Sequence, residues 1–325
     1  MKRLIKITSR ILLALIIVLV LAAILINSVP VQNWLVGRIT KRISKDLHTE
    51  VSIKGVNFSL FNRMYLERTL IRDHNQDTLL WAHTVKLSIT DWFFLKDSAA
   101  LEYIGLEDAM VNMHRTDSVW NYNFLTEYFA TPPSASKQAG IQLVLKKVEL
   151  KNVRVNKLDE WIGQNTIVSV NRLNLDAEDI DFTRRRIHIK TLDIDQPFFQ
   201  LVNYDGKRPE SLRPGPTPKP TDGSPQWNPG GWDIAVTRLN MNNGAFSNEK
   251  ATPDRKPYDY FDPKHILFGE INGRIDSVRW QKDSIFASIH LSTKERSGFK
   301  VNAISAQMKF YPEGCPLVIH FNKPA

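Results

Sequence analysis

Val148-Glu-Leu150-Lys-Asn152-Val153-Arg-Val155 follows the pattern apolar-x-apolar-x-polar-small-x-apolar, and it is not alone. The same pattern occurs as Met64-Tyr-Leu66-Glu-Arg68-Thr69-Leu-Ile71 and as Ile104-Gly-Leu106-Glu-Asp108-Ala109-Met-Val111. It returns as Leu192-Asp-Ile194-Asp-Gln196-Pro197-Phe-Phe199 and as Leu239-Asn-Met241-Asn-Asn243-Gly244-Ala-Phe246. The five copies are separated by steps of 40, 44, 44 and 47 residues, the mark of a repeated supersecondary unit. Alternation at period two makes each copy a strand with one apolar face. The small residue after the polar one predicts a bulge or kink that re-aims the strand at the same place in every unit.

Other alternating stretches fill the space between copies. Val85-Lys-Leu87-Ser-Ile89, Leu143-Val-Leu145, Val168-Ser-Val170 and Ile187-His-Ile189 place apolar residues on one strand face. The expected fold is therefore mainly β, an elongated antiparallel array of repeats rather than one compact core. Its one apolar face must be covered by a second sheet, by closure into a barrel, or by a bound apolar ligand. Helix is plausible in the body only around Asn121 to Phe129, too little to cover it. If the face is an open groove, Val85, Leu87, Ile89, Leu143, Leu145, Val168, Val170, Ile187 and Ile189 are its candidate lining.

Two segments interrupt the array. Residues 131–140 (TPPSASKQAG) form a short loop, and Asp205 to Gly231 carries seven of the 17 prolines. The second reads as an extended, solvated insertion, because the repeat resumes after it. The body thus divides into groove units over 49–205, a linker over 206–231 and further units over 232–325.

Ahead of the body, Ile11 to Ile26 reads ILLALIIVLVLAAILI, with 13 of its 16 residues Leu, Ile or Val. Residues 1–29 are expected to be a cytoplasmic tip and a transmembrane anchor, with Ile11, Leu15, Val18, Leu21 and Ile26 in the apolar run. A cleaved signal peptide is the rival, but its apolar region is about 7–15 residues and ends in a small-x-small site. Lys2, Arg3, Lys6 and Arg10 precede the run and predict a cytoplasmic N-terminus with the bulk exported, although Arg38, Lys41, Arg42 and Lys45 follow it. The first 47 residues carry a charge of +7 out of the chain's +9. Basic charge confined to the flanks of an apolar run points to membrane topology, not to nucleic acid.

Pro30 ends the run, and a second, amphipathic helix is predicted over 30–48. Leu35, Ile39, Ile43 and Leu47 share its apolar stripe, with the cations clustered beside it. That helix suits either a lipid surface or the capped end of a sheet.

No sequence motif of catalysis is present: there is no GxSxG, HExxH, GxGxxG or Walker pattern. The lone Cys315 supports neither an internal disulfide nor a zinc site. Asp73-His-Asn75-Gln-Asp77 imitates the start of a calcium loop, but Thr78 stands where Gly is required and Thr84 where the bidentate acid belongs, so a polar turn is the better reading. Asp176, Glu178, Asp179 and Asp181 read as a solvated strand edge, the alternative being a calcium or catalytic pair. Trp92-Phe93-Phe94 reads as a core plug or a lipid contact. No cofactor, metal or enzymatic activity is expected.

The anchor, the segment VQNWLVGRITKRISKDL (31–47) and TEVSIKGVNFSLFNRMYLERTLIRD (49–73) closely resemble the start of AsmA-like and TamB-like proteins of Gram-negative bacteria. TVKLSITDWFFLKD (84–97), YIGLEDAMVNMHRTDSVWNY (103–122) and KVELKNVRVNKLD (147–159) look like the versions found in Bacteroidetes. The resemblance implies a single-pass inner-membrane anchor and a periplasmic, taco-like repeating β-groove lined by lipid. It implies movement of membrane phospholipids between inner and outer membranes in outer-membrane biogenesis, or help to a BamA-like outer-membrane partner. TamB-like members are longer and end in a further β domain, so residues 232–325 are expected to be part of a truncated array. The alternative function is an assembly factor that binds outer-membrane β-strands by edge augmentation.

Overall fold

The computed structural model describes residues 17, 28–59, 63–89, 99–130, 141–213, 228, 230–252, 259–282, 284–310 and 317–320. Helix α1 spans Val29–Leu47 and helix α2 spans Asn123–Ala130. The strands are β1 (Val51–Ser52), β2 (Gly55–Ser59), β3 (Arg63–Arg72), β4 (Thr78–Ile89), β5 (Ala99–Arg115), β6 (Ile141–Asp159) and β7 (Gln164–Asp181). They continue as β8 (Arg186–Asp195), β9 (Phe198–Asn203), β10 (Asp233–Lys250), β11 (His265–Gln281), β12 (Ser284–Glu295), β13 (Lys300–Phe310) and β14 (Leu317–His320). The chain is mainly β, as its periodicity predicts.

All 14 described strands belong to one sheet, ordered β1-β3-β4-β5-β6-β7-β8-β10-β11-β12-β13-β14 with β2 and β9 beside this path. β1 and β2 both pair with β3, and β8 and β9 both lie between β7 and β10, so each of these pairs is one strand broken in the middle. Pro197 stands in the second break. A proline there removes a ladder donor and is tolerated because the strand bends at that point.

The expectation of a purely antiparallel array needs one correction. β5 and β6 pair in parallel, as do β8 and β9 with β10. Period-two alternation is common to both pairings, so the sequence pattern could not separate them. The register explains the repeat spacing. Glu107 faces Lys151 and Ala109 faces Val153, an offset of 44, while Asp195 faces Asn242, an offset of 47. Two of the four repeat steps are thus direct parallel neighbours. The other two skip a reversed strand, β4 or β7. All five copies therefore run in the same direction across the sheet.

The predicted kink is present in every copy. Arg68, Asp108, Asn152, Gln196 and Asn243 have φ of 49, 49, 51, 50 and 48°. Single residues in this left-handed region are unusual for a side chain other than Gly, Asn or Asp. Their effect is to put two successive residues on the same, outer face. In β3, Met64 and Leu66 are buried, Glu67 and Arg68 are exposed, and Thr69 is buried again. The apolar phase shifts by one residue, and both halves of the strand keep their apolar side chains on one face. The partner strand β4 makes the same adjustment, since Leu66 faces Val85 and Thr69 faces Ala82 with no slip between them, whereas the β10–β11 register slips at the kink. The residue after the kink is small because it is buried where the strand turns. A Cβ on Gly244 would lie 2.8 Å from Met241 Sδ.

Helix α1 starts from Ser28, an extended N-cap, with Pro30 in the first turn, where its missing N–H costs nothing. It ends at His48 in the left-handed conformation, φ 53°. Leu35, Ile39 and Leu47 are buried, and Ile43 packs against the same core with Val51, Ile53, Val56 and Met64. Thr49 Oγ1 ties the helix exit to the carbonyl of Arg72 at 2.9 Å.

Of the predicted anchor only Ile17 is described, as a helical residue; Ile11, Leu15, Val18, Leu21 and Ile26 lie outside the described residues. Among the described residues no helix is long and apolar enough to cross a membrane. The predicted linker also needs revision at its start. Gly206 is not its free beginning, because Lys207 N–H donates to Glu160 O at 2.8 Å and Arg208 N–H to Trp161 O at 2.9 Å. Gly163 (φ 78°) and Gly206 let the two backbones pass, and a Cβ on either would overlap the other segment. A short 3-10 turn, Glu210–Leu212, follows. Residues 214–227 and 229 lie outside the described residues.

Candidate functional site

The phase shifts make the apolar face continuous from strand to strand. One row runs from Met64 and Leu87 through Ile104, Val148, Leu175, Leu192 and Leu239 to Ile275 and Ile289, each residue the direct cross-strand partner of the next. A second row beside it joins Leu66, Val85, Leu106, Leu150, Leu173, Ile194 and Met241. Beyond the kink, Val155, Val168, Phe199, Phe246 and Phe268 form another, with the Phe199 and Phe246 rings stacked at 6.0 Å. Such cross-strand apolar pairs are the unit of sheet stabilisation, and here they also make a surface.

Among the described residues, helices cover that surface at one end only. α1 packs on β1 and β2, and α2 packs on α1 and β6, with Phe124, Leu125 and Tyr128 against the core. Val56, Met64, Leu66 and Val85 are correspondingly buried. All described strands form one sheet, so among the described residues no second sheet lies over the remainder. Leu175, Leu192, Leu239, Ile275 and Ile289 are all half-buried.

The candidate lining residues whose side chains are described fall in different rows. Val85 and Leu87 lie in the two long rows, both in or against the buried core. Val168 pairs with Val155 and Phe199, and Val170, buried, pairs with Val153. Ile187 pairs with Ile180 and Ile234, and buried Ile189 with Ala177 and Val236. Leu145 packs against the core. Ile89 and Leu143 both pair with Leu101, and their side chains lie outside the described residues. The sequence reading missed Ile104, Val148, Leu192 and Leu239 as lining residues. The signal was in the repeat itself, whose apolar positions are the rows.

The opposite face is polar and laddered. Asn240 Nδ2 donates to Asp193 Oδ1 at 2.6 Å and Asn242 Nδ2 to Asp195 Oδ1 at 2.7 Å across the parallel pair. Lys86 Nζ meets Glu107 at 2.7 Å. Tyr103 donates to Glu149 at 2.6 Å; burial, then that hydrogen bond, pushes the phenol well above its ordinary range. Glu149 is held below the usual carboxylate range by hydrogen bonds, first from Lys147 and then from Tyr103.

The calcium-like segment is a closed turn. Asp73, fully buried, accepts from the N–H groups of Asn75 and Asp77, each at 2.9 Å, and from Asn121 Nδ2 at 2.9 Å. His114 Nδ1 lies 4.0 Å from its carboxylate, so Asp73, Asp77 and His114 form a loose trio of possible metal-ligand atoms. Internal donors already occupy both oxygens of Asp73. Two of the acids near the end of β7 are engaged by arginines, Asp181 with Arg184 at 2.6 Å and Asp179 with Arg186 at 3.4 Å, and Asp176 accepts from Thr191 Oγ1 at 3.3 Å. Trp92-Phe93-Phe94 lies outside the described residues. The chain matches no family model and no curated protein.

Proposed function

We propose that this chain is an inner-membrane-anchored periplasmic β-groove that handles phospholipid in outer-membrane biogenesis. One observation carries the reading: an unbroken set of apolar rows that starts under α1 and continues half-buried across later strands, with no second sheet over it among the described residues. Leaving such a face to water is costly, at about 25 cal/mol per Å², so an apolar occupant stabilises it. The longest row crosses nine strands, from β3 to β12, and at about 4.8 Å between neighbours it is about 38 Å long. One leaflet of a bilayer core is about 15 Å thick, so more than one acyl chain fits along the rows. Acyl chains lie on the apolar face, headgroups remain at its open margin, and transfer is diffusion from row to row without covalent chemistry. The predicted anchor of Ile11 to Ile26 supplies the membrane attachment.

A photo-crosslinking amino acid placed at Leu192 or at its exposed neighbour Asp193 tests the proposal in cells. These adjacent side chains face opposite sides of the sheet. Phospholipid adducts are expected from position 192 and not from 193. Equal adducts from both, or none from 192, overturn it. Adducts at 192 with outer-membrane protein strands would instead favour the assembly-factor reading, with a BamA-like partner.

A further inference from the structure

Helix α1 has two faces with different occupants, and only one has been accounted for. Leu35, Ile39 and Leu47 are buried against the sheet. At about 100° per residue, Trp34, Arg38, Lys41 and Lys45 fall within about 60° of one another on the opposite side. All four are exposed, Trp34 by 54%. Arg42 lies off this stripe and pairs with Asp46 at 3.3 Å. Arg38, Lys41 and Lys45 have no ion-pair partner among the described residues. A solvent-facing Trp in line with three cations is unusual for a face that meets only water, since exposed Trp contributes apolar area without stabilising the fold.

We propose that this stripe is a docking surface for the anionic headgroups of the membrane in which the chain is anchored. An indole favours the boundary between headgroup and acyl chain, and each nearby cation contributes about 1 kcal/mol of attraction to an anionic leaflet. The stripe lies one helix diameter, about 10 Å, from the apolar end of the sheet that α1 covers. Docking therefore holds the first strands at the bilayer surface in a fixed orientation. The inference rests on the anchored reading above and is independent of what fills the groove.

The test uses the full chain in lipid nanodiscs. Cys315 is replaced by Ser, and a fluorophore is attached at Gly37→Cys, where an added Cβ meets no atom within 4 Å. A control label at exposed Asn302→Cys sits on β13, at the far end of the strand order. Discs contain phosphatidylcholine carrying a headgroup nitroxide, with or without one-third phosphatidylglycerol. Quenching at position 37 is expected to be at least about twofold greater in anionic discs. It should fall to the neutral-disc level in 1 M salt and in the Arg38→Glu, Lys41→Glu, Lys45→Glu variant, with position 302 unquenched throughout. Quenching that ignores lipid charge, salt and the triple substitution overturns the proposal. Phospholipid adducts from position 192 in the triple variant show separately whether the groove reading stands. Loss of quenching with adducts retained is expected; loss of adducts with quenching unchanged counts against the groove and against the stripe.

Discussion

Asp108 and Asn152 are cross-strand neighbours in the same left-handed conformation, φ 49 and 51°, and Asn152 Nδ2 donates to Asp108 Oδ1 at 2.8 Å. They belong to successive copies of the repeat, on β5 and β6. The kink of one unit is therefore bonded to the kink of the next. Arg68 stands at the matching position of β3, and Gln196 and Asn243 at the break between β8 and β9 and in β10. The bend is a property of the sheet, propagated from strand to strand.

Asn152→Val puts a β-branched side chain where only Gly, Asn and Asp sit easily, and it deletes the bond to Asp108. A loss of about 2 kcal/mol is expected. Asn152→Gly should stay within about 1 kcal/mol, because glycine accepts the conformation freely. Urea midpoints of the two variants compare them, and equal destabilisation would mean that the conformation at 152 is not the controlling factor.

Asp159 and Arg115 form a bidentate pair at 2.7 and 2.8 Å, with both side chains largely buried. Burial alone would raise the pKa of Asp159, but hydrogen bonds from Arg115 and from the Ile162 N–H outweigh it and hold the group below the carboxylate range. A depressed carboxylate contributes stability above its unfolded pKa of about 4 and loses it as pH falls through the folded value. Thermal unfolding should therefore show an acid-side loss below about pH 4 that Asp159→Asn makes smaller, while that variant is about 2 kcal/mol less stable at neutral pH.

The rows predict an asymmetry between neighbouring substitutions. Leu239→Asp places a charge on the apolar face, and Asn240→Asp changes only the laddered face. Co-purified phospholipid, measured by mass spectrometry, is expected to fall severalfold for the first and to be unchanged for the second. Equal retention by both would remove the groove from consideration.

Ile39 is fully buried between α1 and the sheet. Ile39→Ala should cost about 2–5 kcal/mol, seen as a lower urea midpoint. Gly206→Ala acts differently, since the overlap with Ile162 is local and the segment can undock. Limited trypsin digestion is expected to cut faster after Lys207 in that variant, with the midpoint shifted less than in Ile39→Ala.

Much of this was legible in the chain. The kink positions were marked by the polar-small step, the short α2 by its break in alternation, and α1 by a stripe at helical spacing. What stayed hidden depends on register. Period two is the same for parallel and antiparallel partners, so β5 against β6 could not be foreseen. The turn at Asp73 is closed by Asn121, 48 residues away, which no local pattern connects. The rows needed the phase shift at each kink before Leu66 and Thr69 could be assigned to one face.

The kink that joins Asp108 to Asn152 has a consequence for how such a molecule can change over time. Each unit meets its neighbours chiefly along its two flanking strands, with a few turn contacts beside them, so duplication or loss of whole units alters length while leaving the cross-section little changed. Reach and bore are then separately inherited traits. One is set by how many copies a gene carries, and the other by where within each copy the single left-handed residue falls.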